Sequence, residues 1–287
     1  MVVSYNSRAS LRSCVEELAR ADGLEVIVVD NASQDGSLES VADLPLQAIQ
    51  SGGNLGFAHG CNTGWRAGSS PAVLFLNPDA RIEPEAVRTL ASALEQDESL
   101  GAIAPKIVEP DGSLDYSQRR FPRLGSTYAR ALFLQRLFPR ALWADEVIRR
   151  PEDYEAPRRA EWLSGACLMV KRPVLEQLGG FDEDFFMYCE DKDLCRRIWS
   201  AGYEVAFEPA VVAVHEGGAS APRSSLLPVL AASRVRYATK HLEGGSELLE
   251  RGGIGLGELT HVVVSKGGWE ARAGHAKSLR EVARPRH

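Results

Sequence analysis

The stretch Ala72-Val73-Leu74-Phe75-Leu76-Asn77-Pro78-Asp79 restricts the choice of fold more than any other. Between Pro71 and Pro78 lies an unbroken apolar run of strand length, the pattern of a central strand in a parallel sheet covered on both faces. Asp79 then leaves the sheet at its carboxyl edge, where open α/β sheets bind their ligands, and Pro78 stiffens the turn that presents it. A hard divalent cation bridging a diphosphate needs such an oxygen ligand on a rigid support. An Asp capping a helix from Glu83 would give the same local pattern.

The preceding residues supply the neighbouring layers. Val2 and Val3 open a strand that turns polar at Ser4-Tyr5-Asn6, short of the roughly five residues usual for a buried strand, so its true start is expected upstream. Leu11, Cys14, Val15 and Leu18 share one helix face ending near Ala21, Leu24 to Val29 is a second buried strand running into Asp30-Asn31, and Leu46 to Gln50 is a third. This alternation predicts right-handed βαβ units. In Asn54-Leu55-Gly56-Phe57-Ala58-His59-Gly60-Cys61-Asn62, the glycines permit close helix packing or close approach to a ligand. With Gly56 and Gly60 four apart and no strand leading into them, the segment is not a dinucleotide fingerprint. A helix from about Glu83 to Gln96, a strand from Gly101 to Val108 and a tight turn at Glu109-Pro110-Asp111-Gly112 follow.

From Ser117 to Arg159 arginines crowd between aromatics and leucines. Around Tyr128 to Trp143, Arg130, Arg136 and Arg140 fall on one side with Phe133 and Leu137 between them, an imperfect stripe. It reads either as a solvated helix with snorkelling arginines or as a patch for anionic lipid headgroups or a phosphorylated acceptor. Glu161 to Val170 returns to strand, and a short helix from Arg172-Pro173 stops at Gly179-Gly180. Then comes Phe181-Asp182-Glu183-Asp184-Phe185-Phe186-Met187-Tyr188-Cys189-Glu190-Asp191-Lys192-Asp193, where acids sit among aromatics just ahead of a helix. A carboxylate at a helix start is stabilised by the dipole and kept ionised to act as a base, whereas capping needs only one of these acids. Glu204 to Phe207 and Val211 to Val214 are further strands, the latter ending in His215 before Gly217-Gly218. A helix from Arg223 to Leu242 presents Arg234, Arg236 and Lys240, and the Gly-rich remainder carries no readable signal.

Composition narrows the classes. A net charge of -6 offers no whole-chain basic field for nucleic acid. Five cysteines without a C-x-x-C pair suit a reducing compartment, and no apolar run approaches the roughly 20 residues of a bilayer span, so a chain neither secreted nor membrane-spanning is expected.

Taken in order, the motifs over about Val2 to Lys240 resemble family-two glycosyltransferases of the GT-A fold, in the rhamnosyltransferase-like branch that builds bacterial surface polysaccharides. The resemblance implies an α/β, Rossmann-like, mostly parallel sheet flanked by helices. It divides the chain into a transferase domain over 1–220, with a nucleotide-binding half at 1–108 and an acceptor and catalytic half at 109–220, and a helical C-terminal extension over 221–287. It further implies that Ser4, Tyr5, Asn6 and Asp30 hold the donor nucleoside, that Asn54, Gly56 and Asn62 border the donor, and that Asn77 and Arg197 join the donor contacts. Asp79 matches the last acid of the family's Asp-x-Asp metal motif, with Asn77 replacing the first, and His215 matches a histidine that completes metal coordination in some relatives. Asp191 would be the base, Glu190 would orient it or an acceptor hydroxyl, and Trp162, Gly165 and Ala166 would floor the sugar pocket.

The chemistry agrees. A nucleotide sugar already has a good leaving group, so the reaction needs a cation, Mg2+ or Mn2+, against the diphosphate charge and one base on the acceptor hydroxyl. The implied reaction is inverting transfer of one sugar, L-rhamnose from dTDP-rhamnose, to a lipid-linked or polysaccharide acceptor at the cytoplasmic face of the plasma membrane, with peripheral contact to anionic lipid and no nucleic-acid partner. The absence of a Gln-x-x-Arg-Trp motif speaks against a processive synthase. A sugar nucleotidyltransferase would want a Gly-rich, Lys- or Arg-bearing loop after the first strand, which Ser4 to Ser10 does not provide. Against a catalytically silent nucleotide-sugar binding subunit stand intact Asp79, Asp191 and His215.

Overall fold

The computed structural model describes residues 1–217, 223–264 and 268–284, so Gly218 and the 220/221 boundary lie outside the described residues. In chain order the elements are β1 Val2–Ser4, α1 Arg8–Arg20, β2 Ile27–Asp30, β3 Gln47–Gln50, α2 Phe57–Ala67, β4 Ala72–Leu76, β5 Ala80–Arg81, α3 Pro84–Gln96, β6 Leu100–Val108, β7 Gln118–Arg119, α4 Leu124–Ala131 and α5 Leu134–Leu137. They continue with β8 Arg158–Arg159, β9 Trp162–Leu163, β10 Cys167–Lys171, α6 Arg172–Leu178, α7 Glu190–Ser200, β11 Glu204–His215, α8 Arg223–His241, α9 Gly245–Val264 and α10 Gly268–Ala283. Two compact units result: Met1–Arg119, Pro151–Asp184 and Glu190–Ser220 form the first, and Arg120–Arg150, Phe185–Cys189 and Ala221–His287 the second.

The first unit is built on a nine-stranded sheet of order β3-β2-β1-β4-β10-β6-β11-β5, with β8 pairing β11. β1 to β4, β6 and β11 run one way, while β10, β5 and β8 run against them. The apolar run therefore becomes an inner strand as expected, but its partners are parallel β1 on one side and antiparallel β10 on the other. Val73 to Leu76 are buried, Phe75 meets Phe181 edge-on at 4.8 Å, and each fully buried side chain of this size contributes roughly 1.5–3 kcal/mol of transfer free energy.

Two strand expectations change on local grounds. Glu161 to Val170 is not one strand but β9 and β10, because the Gly165 N–H is taken by a side-chain carboxylate instead of a neighbouring strand. The two segments around Pro209 are one strand, β11, whose register to β6 slips between Glu208 and Val212 where proline has no N–H to donate.

The second unit gathers the arginine-rich segment with the C-terminal helices. No single helix spans Tyr128 to Trp143, since Phe133 adopts a left-handed φ of 59° and separates α4 from α5. The Gly-rich tail that carried no signal forms α9 and α10, and its glycines permit close packing: a Cβ on Gly253 would lie 2.7 Å from Thr127 Cγ2. Thr127 Oγ1 donates to buried Glu250 at 2.6 Å across the same contact. A small core of Phe185, Cys189 and Tyr237 holds the aromatic segment in this unit. No helix among the described residues is long and apolar enough to cross a membrane.

Candidate active site

The end of β4 folds into a tight turn. Asn77 N–H donates to Ala166 O at 2.9 Å, Ala80 N–H donates to Asn77 O at 3.0 Å, and the Cys14 thiol adds a contact to Asn77 O at 3.4 Å. Burial pushes that thiol up to about 12, keeping it a neutral donor. The turn delivers β5, which pairs antiparallel with the last residues of β11 and sets His215 opposite Ala80. Glu216 N–H donates to Asp79 O at 3.0 Å. This register leaves His215 Nε2 3.3 Å from Asp79 Oδ1 and 3.5 Å from Asn77 Nδ2. On its other side His215 Nδ1 lies 3.6 Å from Asp115 Oδ2. Burial disfavours the charged ring, but the two carboxylates outweigh it and raise the His215 pKa to about 9.

Asp115 was not singled out from the sequence, where it is one acid in a turn. It arrives because the Glu109–Gly112 turn folds the chain back, with Asp115 N–H donating to Ile107 O at 3.0 Å, and β6 lies beside β11. Between the two carboxylates the metal-free ring is held protonated, so a cation would have to displace the Nε2 proton, after which Asp115 on the Nδ1 side would fix the tautomer and orientation of the ring as a ligand.

Asp191 stands in the first turn of α7, which the chain enters through left-handed Tyr188 and Cys189, with φ of 70° and 65°. Its Oδ2 accepts from Gly165 N–H at 2.9 Å and its Oδ1 from Lys192 N–H at 2.7 Å. These bonds orient the carboxylate and leave lone pairs on each oxygen for a further proton donor. Gly165 fits because even a methyl there would come within 3.2 Å of Asp191 Cβ. The one-residue step from Gly165 to Ala166 links the two clusters: Gly165 holds Asp191, and Ala166 holds the Asn77 turn that carries Asp79.

Glu190 is buried and its Oε2 has no hydrogen-bond partner among the described residues. Burial first, and then the Asp191 charge, raises its pKa well above the ordinary carboxylate range. An acid whose native pKa is raised contributes stability that is complete below the unfolded-state value of about 4.3 and is lost as pH rises towards the native value. Glu190→Gln, which copies the neutral acid, should therefore match wild-type stability in urea unfolding near pH ~4 and exceed it by a margin that widens with pH. A pH-independent difference would mean that Glu190 is ionised in the native protein.

At the other end of the sheet edge, Ser4 and Asp30 are register partners on β1 and β2. Ser4 Oγ is buried with no partner among the described residues. Asp30 accepts from Ser33 N–H at 2.9 Å and from Ser33 Oγ at 2.5 Å, which orders the following loop and leaves other acceptor sites on the carboxylate. Asn6 braces the same loop, donating its N–H to Ser33 Oγ and accepting from Gln34 N–H, while half-buried Tyr5 donates its N–H to Ser7 Oγ. Asn54 Oδ1 accepts from Gly56 N–H at 3.3 Å, and Gly56, at φ 96°, passes its carbonyl to Asn31 Nδ2 at 2.9 Å, so this pair shapes the entry to α2.

Two expected donor contacts are engaged within the fold, one of them completely. Asn62 is buried, accepting from Trp65 Nε1 and Phe181 N–H and donating to Phe181 O and Glu183 Oε1, which saturates its amide. Arg197 pairs through Nε with buried Asp193 at 2.7 Å and donates through Nη1 to Leu178 O, bracing α7 against α6, while its buried Nη2 has no hydrogen-bond partner among the described residues. Trp162 is buried beneath the Arg119 and Lys192 cations, 5.3 Å and 5.5 Å from its ring centre.

Residues 1–179 match the profile described as glycosyl transferase family 2. An N-acetylglucosaminyl-diphospho-decaprenol L-rhamnosyltransferase of Mycobacterium tuberculosis is 32% identical over 254 residues, covering 83% of this chain and 81% of that protein. The rhamnosyltransferase WbbL of Escherichia coli K12 is 26% identical over 228 residues, covering 75% and 81%. Among solved structures, a mannosyltransferase from Pyrobaculum calidifontis in complex with GDP-Man and Mn2+ superimposes with a TM-score of 0.60 at 20% identity, covering 98% of this chain and 84% of that one. The sheet edge that brings Asp79, His215 and Asp191 to one place thus sits in a shared framework: this chain is a glycosyltransferase of family 2 with the GT-A fold.

Proposed function

We propose that the protein transfers a single L-rhamnose from dTDP-rhamnose, with inversion, to a lipid-linked saccharide acceptor, acting at the cytoplasmic face of the membrane in peripheral contact with anionic lipid. The observation that carries this reading is the link through Gly165 and Ala166, which holds the Asp191 carboxylate and the Asp79–His215 pair on one edge of the sheet. The donor and acceptor follow the rhamnosyltransferases named above, one of which acts on a decaprenol-linked sugar by its name.

Asp79 and His215, with the neutral oxygen of Asn77, form the ligand set for a divalent cation. Among the described residues no group of three or more His, Cys, Asp or Glu is placed to hold a metal, so these side chains alone would not complete the shell, and substrate phosphates and water would have to fill it. When bound, the cation offsets charge developing on the departing diphosphate. Asp191 takes the acceptor hydroxyl proton as that oxygen attacks the anomeric carbon, and single displacement inverts the centre. Ser4 Oγ and the Asp30 carboxylate, at the ends of β1 and β2, serve the donor's base.

Purified protein assayed against a panel of nucleotide sugars with Mg2+ or Mn2+ should show thermal stabilisation and slow hydrolysis that prefer thymidine diphosphate donors, with dTDP-rhamnose foremost. Preference for a uridine or guanosine donor would overturn the rhamnose assignment, and pyrophosphate release from a nucleoside triphosphate would overturn sugar transfer.

A further inference from the structure

We infer that the second unit docks on an anionic lipid surface through an exposed patch made by Leu132, Leu137, Phe138 and Trp143 together with Arg136 and Arg140. This rests on the peripheral reading given above and names the surface that makes the contact. The segment 120–150 holds seven arginines against two acids, in a chain whose net charge is -6. Of the two acids, Asp145 is buried and already engages Arg130 and Arg149, each at 3.3 Å. Arg136 and Arg140 are exposed and make no ion pair among the described residues. Arg136 instead lies over the Phe133 ring at 4.4 Å.

The backbone explains why apolar side chains face outward here. Phe133 ends α4 in a left-handed conformation that a bulky side chain adopts only under constraint. The surrounding packing supplies that constraint: the His261 ring lies 4.7 Å from that of Phe133, and Thr260 Oγ1 donates to Ala131 O at 2.8 Å. The chain then makes the single turn of α5 and leaves Leu137 72%, Phe138 50%, Trp143 54% and Leu132 53% exposed. Phe138 and Trp143 lie with ring centres 5.6 Å apart.

Large apolar side chains interleaved with guanidinium groups match the headgroup boundary of a bilayer, where aromatics and Leu enter the acyl region and Arg reaches the phosphates. A second copy of the chain is the poorer occupant, because like patches brought together would oppose their arginines.

The test is co-sedimentation of the full chain with phosphatidylcholine vesicles, with and without phosphatidylglycerol. Wild type should prefer the anionic vesicles, and added salt should weaken that preference. Leu137→Ser, Phe138→Ser and Trp143→Ala combined should reduce partitioning by roughly 30-fold or more. Arg136→Gln with Arg140→Gln should reduce it about tenfold and remove the salt response. These side chains are exposed, so melting temperature and dTDP binding should stay at wild-type values, which separates loss of the surface from loss of the donor site. Equal wild-type binding to both vesicles overturns the peripheral reading and the surface together. Undiminished partitioning of the triple variant overturns the surface alone, as does its conversion of an oligomer to a monomer in lipid-free sedimentation.

Discussion

Asp191→Asn should lower the turnover of sugar transfer by about 10²- to 10⁴-fold, the range that general-base catalysis supplies, while nucleotide affinity stays within several-fold of wild type. The expectation follows from how the carboxylate is held. Each oxygen accepts one backbone N–H, from Gly165 and from Lys192, so the group is oriented by backbone donors and its remaining lone pairs can take a proton. Asparagine keeps the size but presents an NH2 to one of those N–H donors, at a stability cost of about 1 kcal/mol from the lost hydrogen bond, and it has no basicity. Steady-state rates with saturating donor, set beside calorimetric nucleotide binding, separate the two effects. Near-normal turnover would remove Asp191 as the base.

The second large effect is expected at the other cluster. Asp79→Ala should abolish the gain in nucleotide affinity that Mn2+ confers, a loss of about 100-fold or more for a carboxylate ligand, and leave metal-free binding unchanged within several-fold. The Asp79 carbonyl receives Glu216 N–H through the backbone, so the β5–β11 pairing that sets the turn survives the substitution. Asn77 cannot take over, since its amide oxygen is neutral and its Nδ2 lies towards His215 Nε2, 3.5 Å away. Calorimetric titration of dTDP with and without Mn2+ gives the answer directly, and an intact Mn2+ effect in the variant would place the cation elsewhere.

The two substitutions test different links in one chain of contacts. Asp191 is oriented by backbone donors at a helix start, whereas Asp79 depends on a turn and on strand register. A variant that weakens both properties together would point to the Gly165–Ala166 step that joins them, and not to either acid.

Sequence and structure divide the credit unevenly. The apolar run before Asp79, the alternating strands of the first hundred residues and the acids of the segment entering α7 are local patterns, and each survives near its expected position, with Glu190, Asp191 and Asp193 inside the first turn of the helix. Asn62 and Arg197 show where pattern reading stops, because a polar side chain in a motif looks the same whether it meets a ligand or fastens the fold. Only the structure shows Asn62 saturated by Trp65, Phe181 and Glu183, and Arg197 paired with Asp193. Asp115 is the converse, an unremarked turn residue brought to His215 by the neighbouring positions of β6 and β11. The Gly-rich tail folds as α9 and α10, whose glycines have meaning only against the helices they face.

By itself the amino-acid order determined the apolar strand before Asp79, the alternating elements of the first hundred residues and the acids at the start of α7, since apolar periodicity and turn chemistry act over a few residues. The tertiary structure alone decided that positions 79, 191 and 215 share one edge. That meeting depends on an antiparallel insertion between two parallel strands and on a register slip past Pro209, pairings between residues far apart in the chain that no local pattern encodes.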